Sequence, residues 1–277
     1  MRITILIFIF LVSCSTKRSE NTTEKGDNSN IINAKTQTLN SKVRAVVIGI
    51  SEYECGNNLN YADDDAYEFY NFLIRKYPES KSSIVLLRDQ QATKQNILSK
   101  MRSVFANSNS SDELILFFSG HGFNGYFVPY NCNNEENLLY HGEVRKAFSL
   151  SNAKRKIVFA DACRAGSIKR KNNDADTPFG TESYYQTLKK EKGGIALMLS
   201  SRWNQNSLET SRIENGIFTY HLLKGLEGAA DFDGNKTIVI DEVYKYVRGK
   251  VISASAGKQV PIIFGQFSGE MPVTTVN

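Results

Sequence analysis

The chain has 277 residues, 41% of them hydrophobic, with 34 basic against 29 acidic side chains and a formal net charge of +5. That is long and apolar enough to bury one sizeable core, so a single domain with an appended tail is the default reading. The basic excess is spread along the sequence rather than gathered into a block, which gives no ground for a nucleic-acid partner.

The N-terminus differs from everything after it. Arg2 precedes an apolar run over residues 3–12, too short to span a bilayer as a stable helix but the right length for the hydrophobic part of a secretion signal. The run ends in Leu11-Val12-Ser13-Cys14, which resembles the lipobox of bacterial lipoproteins. That resemblance implies a signal peptide over residues 1–13, acylation of Cys14, and a protein held in the cell envelope by a lipid anchor. Ser15 after the cysteine favours the outer membrane. The other reading is an ordinary secretion signal with a chance cysteine. Residues 15–41 are rich in Asn, Thr, Ser and Lys without apolar periodicity, so 14–41 reads as a lipidated cysteine followed by a flexible tether.

The folded domain is expected over residues 42–271, with 272–277 as a short tail. Apolar runs of strand length at 43–50, 84–87, 114–118, 157–160, 195–199 and 261–264 alternate with helical patterns at 62–77, 94–106, 138–148, 218–226 and 242–251. Such alternation predicts an α/β fold: a mostly parallel six-stranded sheet with helices on both faces. Tyr67, Phe69, Tyr70 and Phe72 are expected to pack the first helix onto that sheet.

In sheets of this kind reactive groups gather just beyond the carboxyl ends of the strands. His121, in Ser119-Gly120-His121-Gly122, and Cys163, in Asp161-Ala162-Cys163-Arg164, both fall there. A cysteine nucleophile attacks as the thiolate and needs a neighbour to take or favour its proton, a role for which imidazole is suited. The alternative for each residue is a satisfied structural position in the core.

A histidine 42 positions before an Ala-Cys-Arg turn resembles the arrangement of the caspase/metacaspase superfamily. The resemblance covers most of the domain. It includes Arg44-Ala45-Val46-Val47-Ile48-Gly49-Ile50, then Leu59, Ala62, Asp65 and Ala66, the two glycine- and cysteine-bearing segments, and Gly216-Ile217-Phe218-Thr219. It implies a three-layer caspase-like fold and a cysteine endopeptidase acting on protein or peptide substrates. In that reading Cys163 is nucleophile, His121 acid and base, and the backbone N–H groups of Gly122 and Cys163 form the oxyanion hole. Asp161 stands where animal caspases carry glutamine, and by the same resemblance lies with Asp65, and more loosely Glu209, in the pocket for the P1 side chain. Carboxylates there favour Arg or Lys. Asp65 could instead serve only as an acid in the first turn of a helix, and Glu209 as a solvated loop charge. Ser201-Arg202-Trp203 resembles the segment with which true caspases bind acidic substrates, so acidic P1 specificity is the competing expectation. The basic residues Lys169, Arg170, Lys171, Lys189, Lys190 and Lys192 make the 167–192 connection a candidate for self-cleavage.

With Cys14 acylated and Cys163 catalytic, Cys55 and Cys132 remain, either as a disulfide in an oxidising envelope or as two free thiols. Asp231, Asp233, Asn235 and Glu242 fall at positions 1, 3, 5 and 12 of an EF-hand-like calcium loop. Lys236 replaces the glycine of position 6, so a structural turn is the stronger expectation. No cofactor is required by the chemistry. His141 and His221 have no ligand-like companions, and zinc is not indicated. The second class of function is a non-catalytic caspase-like module tethered at a membrane. Neither the oligomeric state nor the natural substrate is legible.

Overall fold

The structure is a computed structural model that describes residues 41–123, 125–164, 195–201, 209–210 and 215–276, with backbone alone for 163–164 and 209–210. The strands are β1 (Val43–Gly49), β2 (Ile84–Arg88), β3 (Glu113–Phe123), β4 (Tyr126–Phe127), β5 (Leu139–Tyr140), β6 (Arg155–Arg164), β7 (Ile195–Leu199), β8 (Glu209–Thr210), β9 (Asn215–Gly216), β10 (Thr237–Val239), β11 (Ile262–Gln266) and β12 (Pro272–Thr275). The α-helices are α1 (Ala62–Lys76), α2 (Lys94–Ala106), α3 (His141–Ser149), α4 (Ile217–Lys224) and α5 (Ile240–Ala254).

The main sheet runs in the order β11-β7-β6-β3-β1-β2. Its pairs are parallel except β7 with β11, and a small antiparallel extension, β4 and β5, hangs from the end of β3. This is the expected mostly parallel six-stranded sheet. Its central strands are buried on both faces, which is why they read as continuous apolar runs rather than alternating ones. Successive side chains divide between two cores. Ile115 and Phe117 of β3 join Val47, Phe159 and Met198 on one face, with α1, α4 and α5. Leu114, Leu116 and Phe118 join Val46, Ile48 and Val158 on the other, with α2 and α3.

Helix α1 has an acidic first turn, Asp63 to Asp65, and a basic last turn, Arg75 and Lys76, both matched to the helix dipole. Phe69 and Phe72 pack inward as expected, Phe69 stacking on Phe117 with ring centroids 4.4 Å apart. Tyr67 does not join them: it is 47% exposed, with the Arg88 guanidinium 5.5 Å over its ring.

Candidate active site

Strands β3 and β6 are longer than the sequence predicts, running on through the segments expected to turn, and that overrun builds the site. Their parallel register pairs Ser119 with Asp161, Gly120 with Ala162 and His121 with Cys163. The flanking ladders stop earlier, β1 at Gly49 opposite Ser119 and β7 at Leu199 opposite Ala160. The two middle strands therefore stand proud at the carboxyl edge of the sheet, and His121 faces Cys163 across adjacent backbones, which lie about 4.8 Å apart in any sheet.

His121 is buried, and the 51–61 loop between β1 and α1 holds it. Its Nε2 lies 2.7 Å from the carbonyl oxygen of Asn57. A carbonyl can only accept, so Nε2 carries the proton and Nδ1 is the basic nitrogen of the neutral ring. The His121 backbone N–H donates to the Tyr53 hydroxyl (2.7 Å), and the Tyr53 ring lies against the imidazole with centroids 4.7 Å apart. Gly120 has φ 155°, and a Cβ there would strike the Tyr53 hydroxyl, so this contact requires glycine. Neither Tyr53 nor Asn57 was legible: Asn57 acts through its main chain, which leaves no trace in residue type.

The structure brings Asp65 and Asp161 together around Gly216. Both carboxylates are buried. Asp65 Oδ2 accepts from the Ser119 hydroxyl (2.8 Å) and its Oδ1 from the Gly216 N–H (2.9 Å). Asp161 Oδ2 accepts from the N–H (3.2 Å) and hydroxyl (3.0 Å) of Thr219. A Cβ on Gly216 would run into both carboxylates. The β8–β9 ladder sets the backbone of Glu209 opposite Gly216. Asp65 also sits in the first turn of α1, but its carboxylate is spent on Ser119 and Gly216. Sequence reasoning missed Ser119 and Thr219 as the groups that orient the acids. Thr219 had a signal, since it ends the Gly-Ile-Phe-Thr segment.

Cys55 and Cys132 are joined in a disulfide, with Cα atoms 5.7 Å apart. His141 is buried beside Phe127, their rings 4.6 Å apart, and burial pushes its pKa down to about 3. His221 lies on α4, half-buried and also shifted down, first by burial and then by Lys250.

The 231–242 segment joins α4 and its following turn to α5, a helix–loop–helix frame. Ligand atoms of Asp231, Asp233 and Glu242 lie within 4.8 Å of one another. The loop closes on itself: the Lys236, Asn235 and Thr237 N–H groups donate to Asp231, Asp233 and Asn235, and Glu242 accepts from Phe232 and Val239. The oxygen donors suit calcium, but Lys236 stands at the sixth place with φ 67°, a conformation natural to glycine, and brings a cation with it.

Cys14, the 1–13 segment and most of the 14–41 stretch, the 167–192 connection, Arg202 and Trp203 lie outside the described residues. Among the described residues no helix is long and apolar enough to cross a membrane.

Comparisons with known proteins agree with this fold. The caspase domain model of the C14 peptidases matches residues 42–270. Metacaspase-1 of Saccharomyces cerevisiae is 33% identical over 85 residues, 28% of this chain and 20% of its own length. Metacaspase-1 of Plasmodium falciparum is 27% identical over 147 residues, 45% of this chain and 24% of its own. The chain thus spans a quarter or less of the length of these relatives. The crystal structure of protein GSU0716 from Geobacter sulfurreducens superposes with a TM-score of 0.61 at 17% identity, covering 85% of this chain and all of that one, a likeness of fold. The chain belongs to the caspase-domain family.

Proposed function

We propose that this protein is a cysteine endopeptidase that cleaves after Arg or Lys. The observation that carries the reading is the register of β3 on β6, which sets His121 opposite Cys163 at the open edge of the sheet. In the proposed reaction the Cys163 thiolate attacks the scissile carbonyl carbon, and the carbonyl electron pair moves onto oxygen. The N–H groups of Gly122 and Cys163 stabilise that oxyanion, donors of this kind being worth about 2.7–4 kcal/mol each in acyl transfer. As the tetrahedral species collapses the C–N bond breaks, and His121 delivers a proton to the leaving amine. His121 then accepts a proton from the water that hydrolyses the thioester.

Basic P1 specificity is supported by the two buried carboxylates, Asp65 and Asp161, held in place by hydroxyl and backbone donors beside the dyad. A guanidinium or ammonium entering between them would gain charge-assisted hydrogen bonds. We further propose self-cleavage at basic residues of the 167–192 connection, and anchoring of the mature protein to an envelope membrane through Cys14.

The test is hydrolysis of a fluorogenic peptide with Arg at P1, with and without calcium, by wild type and Cys163→Ala. Turnover by wild type alone is expected. Equal turnover by both would remove the peptidase reading, and preference for an Asp-P1 peptide would overturn the specificity.

A further inference from the structure

The two groups described as holding His121, the Tyr53 side chain and the Asn57 carbonyl, come from one loop whose residues 54 and 56–58 are exposed. Gly56, with φ 90°, separates Cys55 from Asn57 in a backbone conformation natural to glycine, and the Tyr53 N–H donates to the Asn58 side chain (3.1 Å) across it. The loop is tied to the segment that follows β4. Polar ties are the Glu54 N–H to the Tyr130 carbonyl (3.2 Å) and the Asn133 side chain to the Glu54 carboxylate (2.7 Å). Hydrogen bonds of this kind are individually weak and open readily at a surface. The covalent tie is the Cys55–Cys132 disulfide.

The other end of that tie is firm. Cys132 is buried in a small cluster with Tyr126 and Val128, against which Tyr53 and Phe123 pack. Val128 N–H in turn donates to the His121 carbonyl (2.9 Å). The disulfide thus fastens an exposed loop to a frame that is itself hydrogen-bonded to His121, two residues from the carbonyl that fixes the imidazole tautomer.

We propose that the Cys55–Cys132 disulfide is a redox clamp on the active site: oxidised, it holds Asn57 and Tyr53 on His121 and the enzyme works; reduced, the loop lets go and turnover falls. The proposal rests on the reading of His121 as the acid and base. Opening the clamp is thiol–disulfide exchange: a dithiol gives two electrons and two protons, the S–S bond breaks to two thiols, and the reductant leaves as its own disulfide. Cys55, half-buried rather than enclosed, is the sulfur open to attack.

The experiment titrates the full-length wild type with dithiothreitol, following free thiols by mass spectrometry and kcat and KM on the Arg-P1 peptide, beside the double variant Cys55→Ala/Cys132→Ala. As two further thiols appear at Cys55 and Cys132, kcat should fall roughly tenfold or more, as expected when a catalytic group is misplaced by about an ångström. KM should stay within about twofold, since the clamp touches the acid/base and not the P1 pocket. The double variant should turn over slowly at every reductant concentration. Wild-type kcat that holds or rises once both thiols are free would overturn the clamp, as would a double variant as fast as oxidised wild type. If the double variant fails to fold, the wild-type titration decides alone. Absence of turnover by the oxidised wild type would instead overturn the peptidase reading, and the clamp with it.

Discussion

Gly216 holds the proposed P1 pocket together, because its amide binds Asp65 while the space where a Cβ would stand is filled by the carboxylates of Asp65 and Asp161. Gly216→Ala should therefore push both acids off their partners Ser119 and Thr219, costing about 1–3 kcal/mol of stability as overpacking does and raising KM for an Arg-P1 peptide. Urea denaturation and steady-state kinetics on the same preparation check it, and a variant with unchanged midpoint and KM would show that the carboxylates have room to spare. At this scale legibility followed chemistry. His121 and Cys163 stand out in the sequence because each sits in a small-residue segment just past an apolar run, and Asp161 because it lies two places before the cysteine. The Asn57 carbonyl and the Ser119 hydroxyl do not stand out, since a main-chain acceptor and a serine beside a glycine look the same whether or not a partner folds against them.

Elements were readable where periodicity was long. The helices over 62–76 and 94–106 and the cores of five parallel strands follow directly from runs of apolar residues. What the sequence hides is where a strand ends. Ser119, Gly120 and Gly122 have the composition of a turn, yet β3 continues through them because β6 supplies ladder partners on one side and Phe127 of β4 pairs with Gly122 on the other. Tertiary pairing thus overrides local preference. Helix α3 starts at His141 rather than 138 for a similar reason: Leu139 and Tyr140 are paired with β4. Ladders of two or three residues, β8 with β9 and β10 with β12, are too short to leave any period, although β8–β9 is what sets Glu209 opposite Gly216.

For the molecule as a whole, a carboxyl buried at the end of the sheet away from the site contributes to how stability depends on pH. Glu113, at the start of β3, is buried, and its Oε1 has no hydrogen-bond partner among the described residues. Burial pushes its carboxyl up to about 7, against the pull of Arg155, whose Nε lies 3.9 Å away. The folded state then binds the proton more tightly than the unfolded chain. The carboxyl's contribution to stability is fully present below the unfolded value of 4.5 and is lost as pH rises through about 7, by an amount on the order of 3 kcal/mol. Glu113→Gln should remove that slope and raise stability at pH 8, read from urea midpoints across pH 4.5–8; parallel curves for variant and wild type would refute the assignment. The central claim, however, is that β3 and β6 bring an imidazole and a thiol into one reacting pair. Its most direct measurement is the rate of Cys163 alkylation by iodoacetamide against pH, read at that residue by mass spectrometry in wild type and His121→Ala. The account predicts a thiol that reacts well below the free-cysteine midpoint of about 8.5 in wild type and reverts toward it without His121. Identical profiles in the two proteins would contradict it.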